Sequence, residues 1–197
     1  MSIQSTVLNF FLKKFVKNTK PSPDEYSYQD MRDLMNDSFE MGEKNFIEKL
    51  IIKSTFANKR SSIKSTETML DGIRTLKITR DDSQKEKCIL YFHGGGYIAG
   101  SPETHLNLLK EIYNNSKITI YAIDYSLSPE SKFPQALNEA VRSYNALRDL
   151  GYQANNIIIG GDSAGGNLSL VCTLKLQENN LELPSKLFLL SPWTDLT

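Results

Sequence analysis

Cysteine and histidine are scarce in this chain, with two of each among 197 residues. Cys88 and Cys172 stand far apart in apolar segments, with no CxxC pair and no histidine cluster beside them. That pattern argues against a disulfide framework and against a zinc site, and reads as two reduced core thiols. Net charge is lacking as well: Lys+Arg and Asp+Glu both number 23, so nothing draws the chain to a polyanion and no nucleic acid is expected as a partner. Long apolar runs are missing too. The opening MSIQSTVLNFFLKKFVKNTK has no basic stretch ahead of its short apolar part and no small-residue cleavage site behind it. It reads as a cytoplasmic, unprocessed chain without a transmembrane span. Repeats and low-complexity segments are absent, and no linker is evident after residue 60. The length fits about one domain with a sizeable core, and no cofactor or metal is expected.

What is present is organised in two parts. Ile3, Val7, Phe10, Phe11 and Phe15 recur at helical spacing beside Lys13, Lys14 and Lys17, which predicts an amphipathic helix. Packing on its own domain or on a neighbouring cap helix is the expected use of its apolar face, and contact with a membrane surface is the alternative. KPSPDEY at 20–26 breaks that helix, and a second helical region is predicted over 28–56, with Met31, Leu34, Met35, Phe39, Phe46, Ile47 and Leu50 as its apolar positions. From 66 onward ETMLDGIRTLKITR alternates around an Asp71-Gly72 turn signal, predicting two antiparallel strands. Strands are then predicted at 87–92, 117–124, 156–160 and 186–191, with helices at 101–113, 133–150 and 164–177 between them. Short apolar strands alternating with helices of this length build a parallel sheet covered on both faces.

The stretch IIIGGDSAGGNLSL, residues 157–170, places Ser163 between Gly161 and Gly165 at a strand-to-helix junction. Serine is a weak nucleophile unless a base takes its proton, and Gly-x-Ser-x-Gly supplies the geometric half of that need. The glycines let the chain turn sharply so that Ser163 projects from the sheet end, and the amide of Ala164, at the helix N-terminus, points at developing negative charge. A second motif, HGGGYIAG at 93–100, follows the strand ending at Phe92. A glycine run lets bare backbone amides approach an oxyanion closely. Gly94-x-Gly96-x-x-Ala99 is also compatible with a dinucleotide fingerprint, but no acidic residue lies at the end of the next strand at the expected distance.

HGGGYIAGS, DYSLSPE (124–130), FPQAL (133–137), GDSAGGNL and SPWTDL (191–196) occur in an order that resembles the hormone-sensitive-lipase-like esterases of the α/β-hydrolase fold, over residues 60–197. The resemblance implies an N-terminal helical cap over 1–60 and a partial α/β-hydrolase core over 61–197, its sheet truncated after about the sixth strand. It implies Ser163 as nucleophile, the amides of Gly95, Gly96 and Ala164 as the oxyanion hole, and His93 with Gly94 as support for that loop. An ester or acyl compound is the implied ligand. The family usually carries arginine at the position of Ser126, and the rest of its triad, an acid and then a histidine, follows the serine. Here His93 and His105 both precede Ser163, so the implied esterase is expected to be inactive alone. A second chain supplying the missing part, or a non-catalytic role in binding acyl ligands, are the alternatives. His105 is expected one turn into a helix capped by Ser101, with Pro102 as its first residue. The order His, Asp124, Ser163 superficially matches chymotrypsin-like proteases, whose all-β fold the strand and helix around Ser163 exclude. Asp195 is expected as a structural aspartate.

Overall fold

The computed structural model describes residues 27, 29–30, 32–39 and 63–194. The predicted helix at the N-terminus, most of the one over 28–56, and Asp195 lie outside them. Within 28–56, residues 29–30 and 32–39 are helical.

Six strands form one sheet: β1 (Lys64–Leu70), β2 (Ile73–Thr79), β3 (Gln84–Phe92), β4 (Ile118–Ile123), β5 (Ile157–Asp162) and β6 (Lys186–Leu190), in the spatial order β1-β2-β4-β3-β5-β6. The Asp71-Gly72 turn closes the β1–β2 hairpin with Leu70 opposite Ile73, both residues taking positive φ, 48° and 75°. β2 runs antiparallel to β4, while β4, β3, β5 and β6 are parallel. The sheet is therefore mixed at one end and parallel elsewhere.

Three helices connect the parallel strands: α1 (Leu106–Ser116), α2 (Gln135–Asp149) and α3 (Ala164–Glu178). Strand side chains alternate between two cores, as a period of two requires. Ile89 and Tyr91 of β3 pack with Leu109 and Tyr113 of α1, whereas Cys88, Leu90 and Phe92 pack with Tyr144 and Leu147 of α2 and Leu168, Cys172 and Leu176 of α3. Burial pushes both thiols up to about 12, so each stays a protonated, apolar core group.

Helix α1 begins later than its sequence suggests. Ser101 does not cap it; the Ser101 amide donates to Thr104 Oγ1 at 2.9 Å and the Thr104 amide to Ser101 Oγ at 3.3 Å, closing a turn of its own, and His105 takes the N-cap position. Serine and threonine three residues apart can satisfy one another without a helix, and here they do.

From β3 the chain passes to β4 on one side, then crosses back to β5 on the other. That reversal sets the C-terminal ends of β3 and β5 side by side, Phe92 opposite Gly161, and a crevice at such a point is where open α/β sheets place their ligands.

Candidate active site

Ser163 follows the last residue of β5 and caps α3 with φ 49° and ψ −115°, a region of backbone space that costs a non-glycine residue about 1–3 kcal/mol. The surroundings hold it there. Its amide donates to Leu190 O at 3.0 Å, and its carbonyl accepts from the amides of Asn167 at 3.1 Å and Trp193 at 2.9 Å. Glycine at 165 is obligatory, because a Cβ there would overlap the carbonyl oxygen of Phe92 at the end of β3. Elbow and neighbouring strand are in direct backbone contact. The Ser163 hydroxyl makes no hydrogen bond among the described residues.

The 93–100 loop rises from β3 next to this elbow. Gly95 takes φ 125°, and a Cβ on it would overlap Ala99 O, the carbonyl its own closing turn brings inward. The amides of Ile98 and Ala99 both donate to Gly95 O, at 3.1 and 3.0 Å, closing the loop into a tight turn.

His93 is buried beneath the loop, stacked on Tyr125 at 4.3 Å between ring centroids, with the Tyr125 hydroxyl donating to His93 O at 2.6 Å. Its Nδ1 lies 2.7 Å from Gly94 O, to which it donates. Burial, reinforced by the neighbouring His105 ring, lowers its pKa to about 4, so the ring is neutral near pH 7, and Nε2 has no partner among the described residues.

Around Ser163 and the loop stand residues the sequence did not single out, among them Asp162, Arg32, Asn36 and Glu139, together with His105, Asp124 and Ser126, which it did. Asp162 Oδ1 accepts from the Gly94 amide at 3.0 Å and from the Tyr91 hydroxyl at 2.7 Å, and its Oδ2 faces His105 Nε2 at 3.3 Å. Burial pushes this carboxyl up, but hydrogen bonds from His105, Tyr91 and Gly94 outweigh it and hold the group below its ordinary value. Arg32, on the N-terminal helical segment, donates to Ile98 O at 2.7 Å and to Ser128 O at 2.8 Å while pairing with Glu130. Asn36 accepts from the Gly100 amide at 3.0 Å. Ser126 donates from its amide and its hydroxyl to the buried carboxylate of Glu139, 2.7 Å each, so a short residue and an acid on α2 fasten the 125–130 loop. Asp124 pairs with Arg74 at 2.9 Å.

Beside the elbow lies a cavity of about 900 Å³, walled mainly by Tyr97, Phe133, Leu137, Leu168, Val171 and Trp193. Gly96 of the loop also borders it, as does Asn167, which accepts from the Tyr97 hydroxyl at 2.6 Å. Ser163 itself is not among the lining residues.

A family model described as the alpha/beta hydrolase fold matches residues 89–197. The chain belongs to that family. An esterase of Acinetobacter venetianus is 36% identical over 128 residues, covering 65% of this chain and 42% of its own length. An acetyl-hydrolase of Streptomyces hygroscopicus is 34% identical over 125 residues, covering 64% and 42%. A hormone-sensitive lipase from a metagenome library superposes with a TM-score of 0.74 at 33% identity, covering 99% of this chain and 59% of that one. An esterase from the bacterial hormone-sensitive lipase family gives 0.75 at 25%, with the same coverages. This α/β hydrolase is thus of the hormone-sensitive-lipase-like, esterase and lipase type, and it spans about two-fifths of the length of these curated relatives. No helix among its described residues is long and apolar enough to cross a membrane.

Of the residues marked in the sequence, Ser163 and Ala164 stand at the end of β5, and His93, Gly94, Gly95 and Gly96 stand on the adjoining end of β3. His105 comes to the same place from below, through Asp162.

Proposed function

We propose that these residues are the acylation half of a serine carboxylesterase. Ser163 attacks the carbonyl of a short- or medium-chain ester, and the amides of Gly95, Gly96 and Ala164 hold the oxyanion that forms. His93 and Gly94 support the loop rather than exchange protons. The observation that carries this reading is the strained elbow at Ser163, packed backbone to backbone against the strand that bears the glycine loop.

Among the described residues the nucleophile and the oxyanion donors stand without a base, since both histidines of the chain are engaged elsewhere. His93 is neutral, buried and turned to Gly94, and His105 is turned to Asp162. Loss of a triad member costs about 10⁴ to 10⁶ in rate, so we expect residual hydrolysis at that level. Turnover of p-nitrophenyl acetate and butyrate by the purified chain, with Ser163→Ala beside it, tests this: a small serine-dependent rate is expected. Rates of an ordinary enzyme, about 10 s⁻¹, would refute the lack of a base.

A second reading is favoured by the edge of the sheet. Strand β6 has no outer neighbour among the described residues, and Leu190 at its end is exposed. A second chain that pairs with this edge and carries the acid and the histidine would complete the esterase. Restoration of hydrolysis on mixing with the corresponding C-terminal segment of a relative distinguishes this from a non-catalytic acyl-binding role, in which ligand binding survives Ser163→Ala and no activity is recovered. A cytoplasmic location belongs to the same proposal, supported by the two free thiols at Cys88 and Cys172.

A further inference from the structure

We propose that Asp162 is a positioning residue: its carboxylate ties the first amide of the glycine loop to the residue before Ser163, and His105 holds that carboxylate in place. The inference rests on the reading of Ser163 and the 93–96 loop as nucleophile and oxyanion hole.

Asp162 ends β5, and its side chain reaches across to the neighbouring parallel strand, where Oδ1 accepts from the Gly94 amide and from the Tyr91 hydroxyl. One oxygen therefore reads the backbone of the loop and the side chain of the strand beneath it. The other oxygen faces His105 Nε2, whose ring is buried and fixed from behind by Thr104 Oγ1 at 2.9 Å and Ser101 O at 3.1 Å from Nδ1, and from the side by Phe39 at 5.3 Å between ring centroids. With the histidine held from behind and both carboxylate oxygens engaged, the Asp162 side chain is restrained from two sides.

Two features show how tightly the contact is built. A Cβ on Gly94 would overlap Asp162 Oδ2, so only glycine lets the loop approach the carboxylate. Asp162 and Ser163 are consecutive, so any displacement of the carboxylate moves the elbow and the loop relative to one another. Oxyanion stabilisation depends on donors standing about 3 Å from the developing charge, a distance such a link would set. The turn at 101–104 gains a purpose on this account: it delays the start of α1 so that His105 arrives at the helix N-cap pointing at Asp162.

Amide hydrogen exchange of the full 197-residue chain tests the proposal without requiring turnover. Asp162→Asn and Asp162→Ala are expected to speed exchange at Gly94 by about tenfold to hundredfold, the scale of a hydrogen bond to a charged acceptor. Amides of Ile120 and Tyr121 in β4 should stay within about twofold of wild type, which shows that the sheet is intact. His105→Phe acts in the same direction, while His105→Gln, which keeps a donor for the carboxylate, stays near wild type. Labelling of Ser163 by a fluorophosphonate should slow in the variants that free Gly94 and recover in His105→Gln. Gly94 exchange unchanged in folded Asp162 variants overturns the proposal, and so do equal effects of His105→Phe and His105→Gln. If Ser163→Ala takes up the reagent as fast as wild type, the nucleophile reading fails, and Gly94 exchange alone decides the role of Asp162.

Discussion

The junction of β3 with β5 and the outer edge of β6 are built on opposite plans. At the junction the backbone is strained, glycines are placed where no other residue fits, and the side chains that meet there are buried and hydrogen-bonded to one another. At the edge the strand is only half-buried, and Leu190 at its end is exposed. The difference teaches where this part of the fold keeps its specificity. Conformations that L-residues resist survive only where neighbours over-determine them, and such places carry chemistry more often than they carry stability. An edge strand with an unpaired outer side is a surface for pairing, and an exposed residue on it such as Leu190 should be replaceable.

Substitutions that break the contrast should differ in cost by an order of magnitude. Gly165→Val drives a side chain into the Phe92 and His93 carbonyls and is expected to cost about 4 kcal/mol or more in denaturant unfolding, or to abolish folding. The next effect is that of pH on His93. Its pKa in the fold is about 4 against an ordinary 6.5, so its contribution to stability is complete above about pH 6.5 and is lost as pH falls toward 4, by about 3 kcal/mol. The depressed carboxyl of Asp162 loses its share in the same direction, at still lower pH. Melting curves across pH 7 to 4 check this, and His93→Asn should flatten the slope. Arg32→Ala follows, at about 1–2 kcal/mol, because the carbonyls of Ile98 and Ser128 lose their donor. Leu190→Lys on the edge is the smallest, within about 0.5 kcal/mol, and should reduce aggregation measured by light scattering. A large cost at Leu190 with a small one at Gly165 would reverse the comparison.

What could be read from the sequence follows the range of each interaction. The run CILYF announces a central strand because every residue is apolar, and it is buried on both faces. Asp71-Gly72 and GDSAGG carry their geometry within a few residues, so turn and elbow were legible. HGGG was legible as a glycine loop that follows a central strand. The pairing of Asp162 with His105 was not, because nothing local in THLNL or GGDSA says that the two meet; only the crossover that sets β5 beside β3 brings them together. Arg32 was hidden for the same reason, its partners lying on loops far along the chain. Ser101 misled because an ST turn and a helix cap use the same residue in nearly the same way.

The most direct test of the central claim is the site of covalent labelling. The purified chain is incubated with a fluorophosphonate, digested, and mapped by mass spectrometry. The account predicts slow modification confined to Ser163, at a rate below that of a complete esterase and absent from Ser163→Ala. Reagent spread over surface serines, or taken up equally by Ser163→Ala, would contradict it.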